Sequence, residues 1–307
     1  MTSRADLFDA VVELPNASIQ RRYDALVGLD DIKGRLSKEA ELLLNPAVLE
    51  QWSKTHHGTR IAACDAFADR PPMFLFAGDV GTGKTALAES FGDNIARSLS
   101  IPVLLFRLSL SSRGSGAVGE MTQLLAAAFD EVRRSVATES KKHRSASILL
   151  IDEADALAQS REASQMHHED RAGVNALIRG LNSLSEKRVP VLIVLATNRL
   201  DAIDPAVRRR AAATFCFERP NDAQRRDALA ALLRGLRLSG TDIARLVEAT
   251  GPTDSRSYGF TYSDLYQRLV PSAVLAAYPG RALTAELLIE TALTLNPTPP
   301  FAERNAE

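Results

Sequence analysis

Gly78-Asp79-Val80-Gly81-Thr82-Gly83-Lys84-Thr85 has the composition of a phosphate-binding loop. Glycines at 78, 81 and 83 let the backbone bend tightly and approach a ligand, so that successive N–H groups and the start of the next helix point at phosphate oxygens. Lys84 brings a cation to the β- and γ-phosphates, and the Thr85 hydroxyl is placed to coordinate Mg²⁺. The assignment to bound nucleotide, ATP or ADP, covers Asp79, Val80, Gly81, Thr82, Gly83, Lys84, Thr85 and Ala86. A chance match in a glycine-containing turn is the competing explanation. Against it stand the apolar run Met73 to Ala77 just before the loop and a helix-like run just after it.

A second block, ILLIDEAD from Ile148 to Asp155, delivers two carboxylates at the end of four apolar residues. In open α/β sheets ligands bind at that edge of the strands. Asp152 is expected to hold Mg²⁺, directly or through water, and Glu153 to polarise an attacking water as a general base. Alone, the two acids could simply solvate a strand end; Asp155 reads as an ordinary helix-start acid. A third run, LIVLAT, ends in Thr197-Asn198-Arg199. Asn198 is expected to orient the lytic water or touch the γ-phosphate if this strand neighbours the acidic one, and its alternative role is to cap the following loop.

These residues need a scaffold, and 307 residues suffice to bury a full core. With 45% hydrophobic and 24% charged residues the chain has a soluble composition; no apolar stretch is long enough to span a bilayer, and no secretory leader is visible. A cytoplasmic location with no membrane partner is expected. Cys64 and Cys216 have neither a neighbouring Cys nor a ligand-spaced His, so neither disulfide nor zinc is implied. A net charge of −1 argues against nucleic acid as partner.

Asp24 to about Gly58 reads as two helices broken at Asn45-Pro46. Buried-strand runs start at Met73, Val103, Ser147 and Val189, each separated from the next by a helix-like stretch. That alternation predicts a parallel sheet covered by helices on both faces, an α/β nucleotide-binding sandwich. After Pro220 only helix-like segments follow: Asp222 to Leu238, Thr241 to Ala249, Thr261 to Ala277 and Thr284 to Leu295. The expected division is an N-terminal arm at 1–24, an α/β domain at 25–220, a small all-helical lid at 221–296 and a frayed tail at 297–307.

These blocks in this order resemble the AAA branch of the AAA+ ATPases, ring-forming machines that remodel other proteins. The resemblance covers most of residues 26 to 290. LVGLDDIKGRL is similar to the family's segment before the phosphate loop, which implies that Leu26, Val27 and Gly28 lie against adenine. ATNRLDAIDPAVRRR resembles its second region of homology, and GFTYSDL from Gly259 its lid motif, usually written with Gly-Ala for Tyr-Ser. The resemblance also implies an arginine finger that reaches the neighbouring subunit's nucleotide, a contribution of about 10³ to 10⁵ in rate. Counting back from Pro220 places it at Arg210, with Arg208 and Arg209 as weaker candidates that could equally pair with acids or solvate a helix end. The family's second arginine is replaced by Ala213. A closed homo-oligomeric ring, a hexamer, is implied, because a finger in trans needs head-to-tail neighbours.

Such rings grip substrate with a pore loop carrying an aromatic before Gly-Glu. Alignment on Gly119-Glu120 gives Ala117-Val118, so either grip is weaker and shared with other residues such as Arg113 or Met121, or this loop has another job. Gln159 to Arg171 is the candidate second pore loop; His167 and His168 within it are read as solvated rather than as metal ligands. The step Arg210-Ala211 and the run NALIRGLNSL from Asn175 are similar to the pachytene-checkpoint remodellers, which open HORMA-domain proteins. The resemblance implies a bacterial relative that disassembles HORMA complexes beside nucleotide-signalling antiviral systems. Alternatives are another protein complex as client or a DNA-associated motor or loader, whose mark would be DNA-stimulated ATP turnover.

Overall fold

Six short apolar runs form one sheet in the computed structural model, which describes residues 7–110, 119–139, 145–157, 167–186, 189–254 and 256–301, and of 137–139, 167–171 and 186 the backbone only. The strands are β1 (Ala10–Leu14), β2 (Met73–Gly78), β3 (Val103–Ser109), β4 (Ala146–Asp152), β5 (Val191–Thr197) and β6 (Ala213–Phe217). Their spatial order is β1-β3-β4-β5-β2-β6. The pairs β3–β4, β4–β5 and β5–β2 are parallel, as apolar runs alternating with helices require. β1 differs from the expected all-parallel sheet by pairing antiparallel with β3. The sequence reading gives four strands, and β1 and β6 are additional. β1 alternates partly buried and exposed residues before Leu14, so it looks like an amphipathic arm, and β6 is only five residues long.

Alternate residues of the strands face opposite sides. One face carries Met73, Leu75, Phe106, Leu149, Ile151, Ile193 and Leu195 into a core shared with the helices Glu120–Glu139 and His167–Glu186. Those helices approach closely at Gly180, where an added Cβ would fall 2.5 Å from the Phe129 ring. The other face is aromatic: Phe74 and Phe76 both meet Phe215 edge-on, at centroid distances of 5.4 and 5.5 Å, and Phe76 also packs against Phe91. Between β1 and β2 lie the expected pair of helices, Asp30–Leu44 and Pro46–His57, with Gly58 closing the second in the left-handed conformation that glycine favours. None of the described helices is long and apolar enough to cross a membrane.

The chain divides into two compact units. The first contains the sheet: the N-terminal residues through Asp24, then Asp31–Ala77 and Thr85–Cys216. The second joins Ala25–Asp30 and the phosphate loop Gly78–Lys84 to everything from Phe217 onward. Its helices are Asp222–Leu232, Gly240–Ala249, Val270–Ala277, continuing a π-helical turn at Asp264–Leu269, and Ala285–Thr294. Reciprocal capping boxes start the first two, Asn221 with Gln224 and Ser239 with Asp242. Leu229, Leu246, Phe260, Leu265, Leu269 and Leu288 fill its core.

Asp264, fully buried, is the polar centre of this unit. It accepts the backbone N–H and hydroxyl of Thr261, both at 3.0 Å, the Arg268 guanidinium at 2.8 Å and the Thr298 hydroxyl at 2.7 Å. The segment expected to fray is therefore hydrogen-bonded at Thr298. Burial pushes the Asp264 carboxyl up, but bonds from Thr261, Thr298 and Arg268 outweigh it and hold the group below the ordinary carboxylate range. Its stabilisation is thus full above the unfolded value of about 3.9 and is lost as pH falls through the lower native value. Asp264→Asn should melt earlier than wild type at pH 7, with the gap shrinking towards pH 3; a gap independent of pH would contradict this charge-dependent role.

Candidate active site

Parallel pairing brings strand ends into one row. Ser109 is level with Asp152, and Ala77 with Thr197. β5 is the neighbour of β4, which was the condition for Asn198 to stand near the acids. At the end of β4 the Asp152 carboxylate lies 3.4 Å from the Thr85 hydroxyl. The two residues expected at Mg²⁺ are thereby brought together. A hydroxyl and a carboxylate at that spacing suit an ion that takes the remainder of its oxygen shell from water and phosphates. Among the described residues no group of three or more His, Cys, Asp or Glu could hold a metal without such help.

Glu153 is exposed and follows Asp152 with φ of 55°, a left-handed backbone that few non-glycine residues adopt. Its carboxylate accepts the Ser109 hydroxyl at 2.8 Å, and the Ser109 backbone N–H donates to Asp9 at 2.6 Å. The end of β3 is therefore clamped between the general-base candidate and the residue before β1. Asp155, read as an ordinary helix-start acid, is buried and accepts the Thr197 hydroxyl at 3.0 Å. Thr197 in turn accepts the Arg199 N–H at 3.0 Å, so the threonine performs the loop-capping role considered for Asn198. Asn198 is half-buried. No local motif marks Ser109 or Asp9; only the strand order brings them to this edge.

Within the second unit the phosphate loop is set by tight backbone contacts. Gly78 has φ of 152°, and a Cβ there would lie 2.0 Å from the Phe217 carbonyl. At Gly81 a Cβ would meet the Thr261 hydroxyl at 2.6 Å. Lys84, buried, donates to the Asp79 carbonyl at 2.6 Å, and the Thr82 hydroxyl donates to the same oxygen at 2.7 Å. The Asp79 carboxylate faces Arg219, a residue for which the sequence offers no signal. Leu26, Val27 and Gly28 are half-buried; Gln224 donates to the Gly28 carbonyl at 2.7 Å. The Tyr262 hydroxyl lies against Gly28, buried and without a hydrogen-bond partner among the described residues, and burial pushes its phenol up to about 12.

Arg210 is half-buried and donates to the Ala206 carbonyl at 2.9 Å, whereas Arg208 and Arg209 are exposed. Among the described residues none of the three forms an ion pair. Asp204 caps the short helix Pro205–Arg208 that presents them, its carboxylate accepting the Ala206 N–H at 2.6 Å. Met121, named with Arg113 for grip, is half-buried and packs against the core of the first unit. Arg113, Ala117, Val118 and 159–166 lie outside the described residues, as do the side chains of His167 and His168.

Residues 74–219 match the ATPase family associated with various cellular activities (AAA). The chain is 50% identical over 302 residues to CD-NTase-associated protein 6 of Escherichia coli strain MS 115-1, covering 97% of each. Among solved structures it resembles a chain of the E. coli MS115-1 HORMA:CdnC:Trip13 complex, with a TM-score of 0.89 and 49% identity over 97% of this chain and 99% of that one. It is also similar to Rhizobiales Trip13, with a TM-score of 0.77 and 43% identity over 96% of this chain and 100% of that one. Phosphate loop, strand-end acids and similarity along almost the whole length agree: the chain belongs to the AAA ATPases, among the CD-NTase-associated protein 6 family.

Proposed function

We propose that this protein uses ATP hydrolysis to remodel a HORMA-domain protein and take apart its complexes, as a cytoplasmic homo-hexameric ring in a nucleotide-signalling antiviral system. The client assignment is carried by the similarity, over nearly the full length of both chains, to a component of a HORMA:CdnC:Trip13 complex. In this reading the loop backbone from Gly81 to Thr85 and the Lys84 ammonium bind the phosphates of ATP. Mg²⁺, when bound at Thr85 and Asp152, supplies neutralisation of the phosphate charge. Glu153 takes the proton of the attacking water after leaving Ser109, and Asn198 orients that water. Arg210 of the adjacent copy meets the charge that develops on the transferred phosphoryl group.

Three outcomes follow. Lys84→Ala should lose nucleotide affinity, measured by titration with a fluorescent ATP analogue; wild-type affinity would overturn the phosphate-loop assignment. Glu153→Gln should bind ATP, turn it over at least about a hundredfold more slowly, and retain the client when isolated with ATP. Retention of an unrelated protein, with no HORMA-domain protein, would replace the client assignment. Arg210→Ala and Glu153→Gln should each be inactive alone but recover turnover when co-expressed in mixed rings, because an intact Glu153 then meets an intact Arg210. Mixed rings that stay inactive would remove the finger from Arg210.

A further inference from the structure

Asp79 places a carboxylate inside a loop built to receive phosphate, where an uncompensated negative charge would oppose the ligand. Both its oxygens are engaged. Oδ2 accepts Nε and Nη2 of Arg219 at 2.7 and 2.5 Å, a two-point charge-assisted contact. Oδ1 accepts the N–H of Val80 at 2.8 Å and the N–H of Phe301 at 3.1 Å. The pair is largely shielded, with side-chain exposures of 15% for Arg219 and 17% for Asp79. The third nitrogen of Arg219 donates to the Gly259 carbonyl at 2.9 Å, and its guanidinium lies 4.9 Å from the centre of the Tyr258 ring. One arginine thus joins the second residue of the phosphate loop to the start of the lid motif.

The C-terminal segment reaches the same loop by two routes. Directly, the Phe301 N–H holds Asp79. Indirectly, Thr298 donates its hydroxyl to Asp264, Asp264 fixes Thr261, and Thr261 stands against Gly81; the Ser263 N–H also donates to the Gly81 carbonyl at 3.1 Å. The loop, the lid motif and the segment through Phe301 all lie within one compact unit.

We propose that Asp79, Arg219 and the segment ending at Phe301 are positioning elements of the nucleotide site: Arg219 cancels the Asp79 charge, and together with Phe301 it holds the phosphate loop in its anion-accepting form. This rests on the nucleotide reading given above. Loss of Arg219 leaves a bare carboxylate beside the phosphates, whereas loss of both charges does not. A merely structural role would make the double variant at least as impaired as the single one.

The test measures the affinity of full-length protein for a fluorescent ATP analogue, with turnover at saturating ATP alongside. Arg219→Ala should weaken binding about tenfold or more and raise KM with little change in kcat. Asp79→Asn in the same chain should recover most of that loss. Phe301→Pro, which removes the donor N–H, should weaken binding in the same direction. Should Arg219→Ala fail to fold, Phe301→Pro and the pair Arg219→Lys and Arg219→Gln, with the charged lysine expected to bind more tightly, carry the comparison. Unchanged affinity in Arg219→Ala and Phe301→Pro, or no recovery in the double variant, overturns the proposal. Lys84→Ala separates the two layers: if it binds as wild type the nucleotide reading itself fails, and if it loses binding while Arg219→Ala does not, only the positioning role fails.

Discussion

A triphosphate concentrates several negative charges in a few ångströms, and the protein must aim N–H groups and cations there before the ligand arrives. That requirement organises the molecule. A loop that can approach phosphates needs positive φ at Gly78, Gly81 and Gly83, with neighbours so close that a Cβ at 78 or 81 would collide with them. It also needs a counter-charge for its own Asp79, which Arg219 supplies. The Mg²⁺ ion proposed to accompany the phosphates needs oxygens nearby, and parallel pairing of β4 with β5 and of β5 with β2 sets Asp152 beside Thr85. The apolar core matters to function chiefly because it fixes strand register. A slip of one residue would turn every side chain at this edge to the other face.

Catalysis adds a second demand, a base that is available but not misdirected. Glu153, proposed for that role, has a backbone conformation that costs about 1–3 kcal/mol and is maintained because β4 and the short helix Ala154–Leu157 are anchored by buried residues on either side. The Ser109 hydroxyl holds the carboxylate, and Asp9 holds Ser109. β1 therefore bears on the proposed chemistry by steadying the end of β3, although it contains none of the residues proposed to carry it out.

The sequence shows most plainly what is local. GDVGTGKT, the acids after ILLI and the asparagine after LIVLAT are contiguous, each tied to an apolar run whose burial could be read without knowing its partners. The four central strands and the helical character beyond Pro220 were legible for the same reason. Residues that act through distant partners were not. Arg219 meets Asp79 across 140 positions and Phe301 reaches it across 222, so neither carries a local pattern. Asp155 does stand in the first turn of the short helix Ala154–Leu157, as its position suggests, but its bond to Thr197 was hidden because that partner lies on a strand 42 positions away. β1 was hidden for a different reason: an antiparallel edge strand with few fully buried residues has little apolar signal of its own.

The proposed coupling of this site to a client is tested most directly by following a HORMA-domain protein held in its complex after addition of the wild-type protein and ATP. Release of the HORMA-domain protein with ATP, and none with a non-hydrolysable analogue, is the expected result. Steady ATP turnover that leaves the complex intact would contradict the account.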